Sequence, residues 1–218
     1  GPGNQFVNSA SFTRDREIIL PGNGTYILAV QGSSEEETLN YSFSLITSEI
    51  TTTELTLSEI VSSNISKPGE EDIYTFTGTA GQRLYYDGIS GESGINTRLI
   101  SPSGEQILFS SSTSSNRQPI TLIETGSYQL VVDGNSGTTG DYSFQLLDTA
   151  EATDLTFDTT ISDSLEPGQE TILYKFTGTA NQKLFLDDKG TQNGGSFVIY
   201  GPGNQFVNSA SFTRDREI

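Results

Sequence analysis

Side chains able to do covalent chemistry are few in this chain. Its 218 residues include no histidine and no cysteine, so neither a Ser-His-Asp relay nor a Cys-His pair can be assembled. A Ser–Lys pair is the remaining nucleophilic option. Lys67, Lys175, Lys183 and Lys189 stand among many serines, but no spacing ties one lysine to one serine. The adjacent carboxylates Asp187 and Asp188 would hydrolyse a glycoside only if both flanked one cleft. Neighbouring strand residues point to opposite faces, and in a turn both would be solvated. We therefore expect no enzymatic activity.

Hard-cation binding suits the residue set better. Calcium takes several oxygen ligands from carboxylates and carbonyls. Acidic clusters occur at Glu35-Glu36-Glu37, Glu70-Glu71-Asp72, Asp133 with Asp141, and Asp187-Asp188. Asp87 and Asp187 follow the equivalent Leu84 and Leu184 runs. Asp87, Asp187, Glu35, Glu36 and Glu37 are thus the candidate calcium ligands. No D-x-D-x-D-G loop is present, and a solvated acidic surface is the competing explanation. Asp87-Gly88 is also an ordinary turn opening. Tyr85, Tyr86 and Tyr200 offer rings for stacking on a sugar, although alternation sends one of Tyr85 and Tyr86 into a core. A Lys–Asn or Lys–Asp isopeptide crosslink would suit a fibre, but the sequence locates none.

The net charge of −17 repels nucleic acid, whose binding rests on Lys and Arg against phosphate, and it repels anionic membranes. No apolar run approaches the roughly 18 residues of a membrane span, so no membrane insertion is expected. Absence of Cys and Met removes disulfides and oxidisable sulfur, which suits a long-lived extracellular material.

The elements that must position these residues are strands. Tyr128, Leu130 and Val132 alternate with polar Gln129 and with Asp133, and Tyr142, Phe144 and Leu146 repeat the pattern. Alternation with aromatic and β-branched residues marks half-buried strands. Runs near 55–57, 73–77, 83–87, 97–101, 106–110, 119–123, 127–133 and 141–147 are separated by turn residues such as Pro68-Gly69 and Ser101-Pro102-Ser103-Gly104. Eight short strands in about 100 residues predict an all-β fold of antiparallel β-sandwich modules, jelly-roll-like in type.

Two repeats set the domain organisation. Residues 1–18 recur letter for letter at 201–218. Within that 200-residue period, Tyr74-Thr-Phe76-Thr-Gly78-Thr-Ala80 matches Tyr174-Lys-Phe176-Thr-Gly178-Thr-Ala180, and Gly126-Ser-Tyr128-Gln-Leu130 matches Gly24-Thr-Tyr26-Ile-Leu28. Two divergent modules of about 100 residues follow. Module B is complete at 55–148. Module A is split, with a back half at 1–46 and the front half of the next copy at 155–218. The Thr-rich, Gly-free segments 47–54 and 148–154 read as short linkers. We read the chain as one period of a longer tandem array; an engineered circular permutant with a duplicated end is the alternative. Interior positions are expected at Tyr74, Phe76, Leu84, Tyr128, Leu130, Val132, Tyr142 and Phe144 in B. The module A counterparts are Tyr174, Phe176, Leu184, Tyr26, Leu28, Val30, Tyr41 and Phe43. Phe6 and Phe206, like Ile18 and Ile218, should share one kind of core position.

The ordered motifs of module B are a Tyr74-x-Phe76 strand, a Gly81-Gln82 turn, a Ser101-Pro102-x-Gly104 corner, a Gly126-x-Tyr128-x-Leu130 strand and a closing Tyr142-x-Phe144-x-Leu146 strand. Together they resemble the bacterial pre-peptidase C-terminal domain family, and module A matches in the same places. The resemblance implies secreted β-sandwiches, appended to proteases or strung along surface proteins, some relatives of which bind calcium or matrix polymers. The expected function is a non-catalytic repeat segment of an extracellular or cell-surface fibre, stalk or matrix filament, whose partners are neighbouring copies joined head to tail. The alternatives are an adhesive module for polysaccharide or matrix protein, or an accessory domain of a secreted hydrolase.

Overall fold

The computed structural model describes residues 6–9, 18–33, 35, 37–166, 169–190, 194–212 and 216–217. Its strands are, in chain order, β1 (Ile50–Glu54), β2 (Val61–Ile65), β3 (Glu71–Gly78), β4 (Arg83–Gly91), β5 (Ile95–Ile100), β6 (Gln106–Ser112), β7 (Ile120–Thr121), β8 (Gly126–Gly134), β9 (Gly140–Asp148), β10 (Thr153–Asp154), β11 (Tyr174–Lys175), β12 (Phe185–Leu186), β13 (Ser196–Tyr200), β14 (Phe206–Ser211) and β15 (Arg216–Glu217). The fold is all-β, and the helical turns among the described residues are short 3-10 turns.

Strands β1 to β9 form a complete two-sheet sandwich. One sheet has the order β1-β3-β8-β5-β6 and the other β2-β9-β4-β7. Leaving β1 aside, consecutive strands alternate between the sheets except at the β5–β6 hairpin, in the interlocked order of a jelly roll. The core is where alternation places it. Tyr74, Phe76, Leu84, Tyr128, Leu130, Val132, Tyr142 and Phe144 are all buried in one cluster with Tyr86, Ile95, Leu99 and Leu146. The Phe144 ring lies edge-on to Tyr74 and stacks with Tyr86 and Tyr142. Burying each such side chain stabilises the fold by roughly 1.5–3 kcal/mol.

One charge sits inside this core. Asp72 is in phase with Tyr74 and Phe76 and is buried. Its carboxylate accepts a hydrogen bond from the Tyr142 hydroxyl at 2.5 Å and another from Thr51 Oγ1, and the Tyr142 and Tyr74 hydroxyls are 2.7 Å apart. A buried carboxylate needs such donors to offset its lost hydration.

Two segments depart from the expected strands. The run 50–54, read as linker, is β1, which pairs in parallel with β3 from Ile50 opposite Glu71 to Glu54 opposite Thr75. Residues 55–57 are not a strand; Leu55 is buried beside the ladder, its N–H donating to the Thr75 carbonyl at 2.8 Å. β2 went unrecognised because Val-Ser-Ser-Asn-Ile has apolar residues only at its two ends.

The unit that follows reproduces module B in register. Thr153 and Asp154 pair in parallel with Tyr174 and Lys175, as Thr53 and Glu54 do with Tyr74 and Thr75. The Leu155 N–H donates to the Lys175 carbonyl at 2.7 Å. β13 and β14 form the hairpin that β5 and β6 form in B, with Asn204 taking the positive φ of Gly104. On the other side of B, Tyr26 repeats a corner made by Tyr128. The Tyr128 hydroxyl donates to the Glu124 carbonyl at 2.9 Å and accepts from its N–H, and the Tyr26 hydroxyl does the same with Gly22 at 2.6 and 3.3 Å.

The module A interior differs from the expectation. Leu28, Val30, Tyr41, Phe43 and Phe176 are exposed, and Tyr26, Tyr174 and Leu184 are half-buried. Phe6 and Phe206 are both exposed, as is Ile18; Ile218 lies outside the described residues. The reason is physical. Each half carries counterparts of strands from both sheets and completes neither, so its apolar side chains lack ladder neighbours and a facing sheet to bury them.

Candidate functional site

Alternation along β4 points Leu84 and Tyr86 into the core and Arg83, Tyr85 and Asp87 to the outer face. On an isolated sandwich that face would meet water. Here Asp87 is 0% and Tyr85 5% exposed, because the unit at 155–212 lies on them.

The contact is polar and closely fitted. Asp87 Oδ2 accepts from Gln145 Nε2 and from the Thr171 backbone N–H, both at 2.8 Å, and its Oδ1 accepts from Thr171 Oγ1 at 2.7 Å. Asn116 supports the same point. Its Nδ2 donates to Thr171 Oγ1 at 3.2 Å, while its Oδ1 accepts from the Gly88 N–H at 2.8 Å. At the other end of β4, Arg83 Nη2 donates to the Gly201 carbonyl at 2.8 Å and Nε donates to Asn204 Oδ1. Asn204 Nδ2 in turn donates to Thr121 Oγ1 at 3.0 Å. Between these anchors the rings of Tyr85 and Tyr200 meet with centroids 6.1 Å apart. Burial, then the neighbouring Tyr200 and Asp87, push the Tyr85 phenol up to about 12.

This arrangement ties two units together. The Asp87 carboxylate is engaged by three protein donors. Such charge-assisted bonds are stronger than neutral ones, and they tie module B's β4 and β9 to the strand entry of the next unit.

The other candidates lie apart from this face. Asp187 is exposed and pairs with Lys189. Glu35 and Glu37 are exposed, and Glu36 lies outside the described residues. Among the described residues, no group of three His, Cys, Asp or Glu side chains is placed to hold a metal. The other acidic clusters serve the fold. Glu70 caps a turn by accepting from the N–H groups of Ser66 and Lys67 and from the Ser66 hydroxyl, which hold its carboxyl below its ordinary value. Glu71 and Asp133 both pair with Arg98. Lys67 pairs with Glu49, and Lys175 donates to the Ala150 carbonyl at 2.6 Å. Tyr86 is a core residue whose hydroxyl donates to the Thr113 carbonyl at 2.9 Å, and Tyr85 packs against Tyr200 rather than facing solvent.

Sequence reasoning singled out Asp87, Tyr85 and Tyr200 but not Arg83, Asn116, Gln145, Thr171 or Asn204. The available signal was Arg83-x-Tyr85-x-Asp87, three consecutive outward positions carrying large or charged side chains.

No protein-family model matches the chain, and no curated protein matches it. Solved structures similar to it include a periplasmic inhibitor of g-type lysozyme, PliG, from Aeromonas hydrophila, at 16% identity and a TM-score of 0.40 over 46% of this chain and 98% of that one. The Salmonella Typhimurium PliG is 20% identical, with a TM-score of 0.32 over 44% of this chain and 98% of that one. The pre-peptidase C-terminal domain of a collagenase from Bacillus anthracis is 14% identical, with a TM-score of 0.33 over 47% of this chain and 99% of that one.

Proposed function

We propose that this chain is a non-catalytic structural repeat of an extracellular or cell-surface filament, in which module B docks on the following unit through the outer face of β4. The observation that carries this reading is the junction at Asp87. A buried carboxylate bonded to the backbone N–H and hydroxyl of the following unit fixes direction as well as proximity. The contact is heterologous, since the donor surface on B and the acceptor surface at 169–205 differ, and heterologous contacts propagate rather than close. The acidic, sulfur-free composition keeps such a polymer soluble and resistant to oxidation.

Small-angle scattering on chains carrying one, two and three of the 200-residue periods tests the proposal. The maximum dimension should rise in proportion to the number of periods. Arg83→Ala combined with Asp87→Ala should shorten and broaden the distance distribution while leaving module B folded. Wild-type profiles that fit freely jointed beads would refute the reading.

A further inference from the structure

We infer that Tyr85 and Tyr200 form a latent covalent lock: a one-electron oxidant, such as a haem peroxidase fed with hydrogen peroxide, joins their rings carbon to carbon and seals module B to the unit that follows. This adds a chemical step to the junction that carries the repeat reading above, and it rests on that junction.

Composition directs oxidation to tyrosine. Cysteine and methionine are the side chains that oxidants ordinarily attack. The chain has neither, nor any tryptophan or histidine, but it has nine tyrosines. Oxidising equivalents that reach this protein therefore fall on phenols.

Geometry selects the pair. The Tyr85 and Tyr200 ring centroids are 6.1 Å apart with their planes inclined at 53°, inside the range of direct ring contact. Both ends of the contact are pinned, by Asp87 on Thr171 and by Arg83 on the Gly201 carbonyl. Such pinning holds two reactive groups at high effective concentration. Tyr200 is half-buried and gives an oxidant its point of entry, and Tyr85, itself buried, is reached through the ring contact. The other tyrosines are placed differently. Tyr41, Tyr86 and Tyr128 stack on Phe43, Phe144 and Phe76. Tyr26 and Tyr174 direct their hydroxyls to the Gly22 carbonyl and to Asp163. Tyr74 and Tyr142 meet through their hydroxyls, with Phe144 against both rings.

The step balances. Each phenol gives one electron to the oxidant and its hydroxyl proton to solvent, leaving two phenoxyl radicals. These pair at the ring carbons ortho to oxygen and form one carbon–carbon bond. Each bonding carbon then loses its hydrogen as a proton, each oxygen regains a proton, and both rings are aromatic again. The two electrons and two protons released reduce one hydrogen peroxide to two waters. Burial raises both phenols above their ordinary value, so at neutral pH the electron and the proton leave together.

The lock is specific to this joint. In the internal repeat the counterpart of Tyr85 is Phe185, and the counterpart of Tyr200 is Ile100. Neither is a phenol, so the 200-residue period carries the pair at one place.

Photo-oxidation of the purified full chain with tris(bipyridyl)ruthenium and persulfate, followed by unfolding and tryptic digestion, tests this. The monomer should lose two hydrogens, gain dityrosine fluorescence and yield peptide 84–98 joined to peptide 190–214. Tyr85→Phe and Tyr200→Phe keep both rings and should each lose the joined peptide with an unchanged circular dichroism spectrum. Tyr86→Phe, which alters the same tryptic peptide, should keep it. Arg83→Ala combined with Asp87→Ala unpins the contact and should lower its yield. The inference is overturned if the joined peptide survives in Tyr85→Phe or Tyr200→Phe. It is also overturned if the wild-type chain couples at Tyr74 and Tyr142, or only between chains. Scattering from multi-period chains separates the two readings. Rods built from a chain that does not link remove the lock alone, whereas freely jointed beads built from a chain that links remove the filament alone.

Discussion

Alkali should unfold module B within a narrow pH range. Tyr74, Tyr85, Tyr86 and Tyr142 are buried, and burial is the leading cause holding each phenol above its ordinary value. For Tyr142 the hydrogen bonds with Asp72 and Tyr74 add to the effect. An unfolded tyrosine releases its proton near pH 10 or so. Below that pH both states keep the proton and the folded state has its full stability. Above it the unfolded chain gains by ionising while the folded one does not, so stability falls until the pH passes the folded pKa. Each group contributes a loss of about 1.4 kcal/mol per pH unit. Four together approach about 5.6 kcal/mol per unit, comparable to the whole stability of many domains. Urea unfolding followed by circular dichroism from about pH 8 to about pH 11.5, with tyrosinate absorbance in parallel, measures this. We expect unfolding and phenolate formation to coincide. Tyr142→Phe should cost about 1.5–3 kcal/mol at neutral pH, because Asp72 loses a donor to its charge, while lowering the alkaline slope by about 1.4 kcal/mol per unit. A urea midpoint that is constant above pH 10 or so, or an unchanged slope in Tyr142→Phe, would refute the reasoning.

Other outcomes follow from the same geometry. Phe144→Ala removes the ring shared by three tyrosines and should cost about 3–5 kcal/mol, read by denaturant midpoint. Glu70 has its folded carboxyl lowered first by the Ser66 hydroxyl bond, so its contribution is present above the unfolded pKa and lost as pH falls through the folded one; Glu70→Gln should therefore flatten the acid side of the stability profile. A Cβ at Gly88 would lie 2.4 Å from both Ser115 N and Thr113 O, so Gly88→Ala should shift backbone and lower the melting temperature of module B by several degrees or roughly more. Thr171→Ala should raise amide exchange at position 171 while leaving β3 and β8 protected, since it removes the two junction bonds of the hydroxyl and no core contact.

The fold of module B was legible because its strands alternate cleanly. Tyr74, Phe76, Tyr128, Leu130, Val132, Tyr142, Phe144 and Leu146 share the core-facing parity, although Val131, Ser143 and Gln145 on the other face are buried as well. β1 was not legible, because Ile-Thr-Thr-Thr-Glu has no apolar face of its own; pairing with β3 makes it a strand. Asp72 read as a member of a solvated acidic cluster, although its phase with Tyr74 and Phe76 placed it inside. Asp87 was marked for its charge and position, but its burial depends on Thr171, which is 84 positions away and has no counterpart in module B, where Glu71 stands. The exposed half-modules reflect the same limit from the other direction. Periodicity assigns a face to a residue; it does not say whether that face has a partner.

The parallel pairing of β1 with β3, repeated by β10 with β11, has a consequence for length. Only residues 149–152 separate β9 from β10, and Thr149–Glu151 form a 3-10 turn capped by Asp148, which accepts from the Ala150 N–H at 2.9 Å. What would be slack between modules is consumed as sheet. In the filament proposed above, such a joint would make the polymer a ruler, each period changing its reach by a fixed increment and heading errors at successive joints staying small.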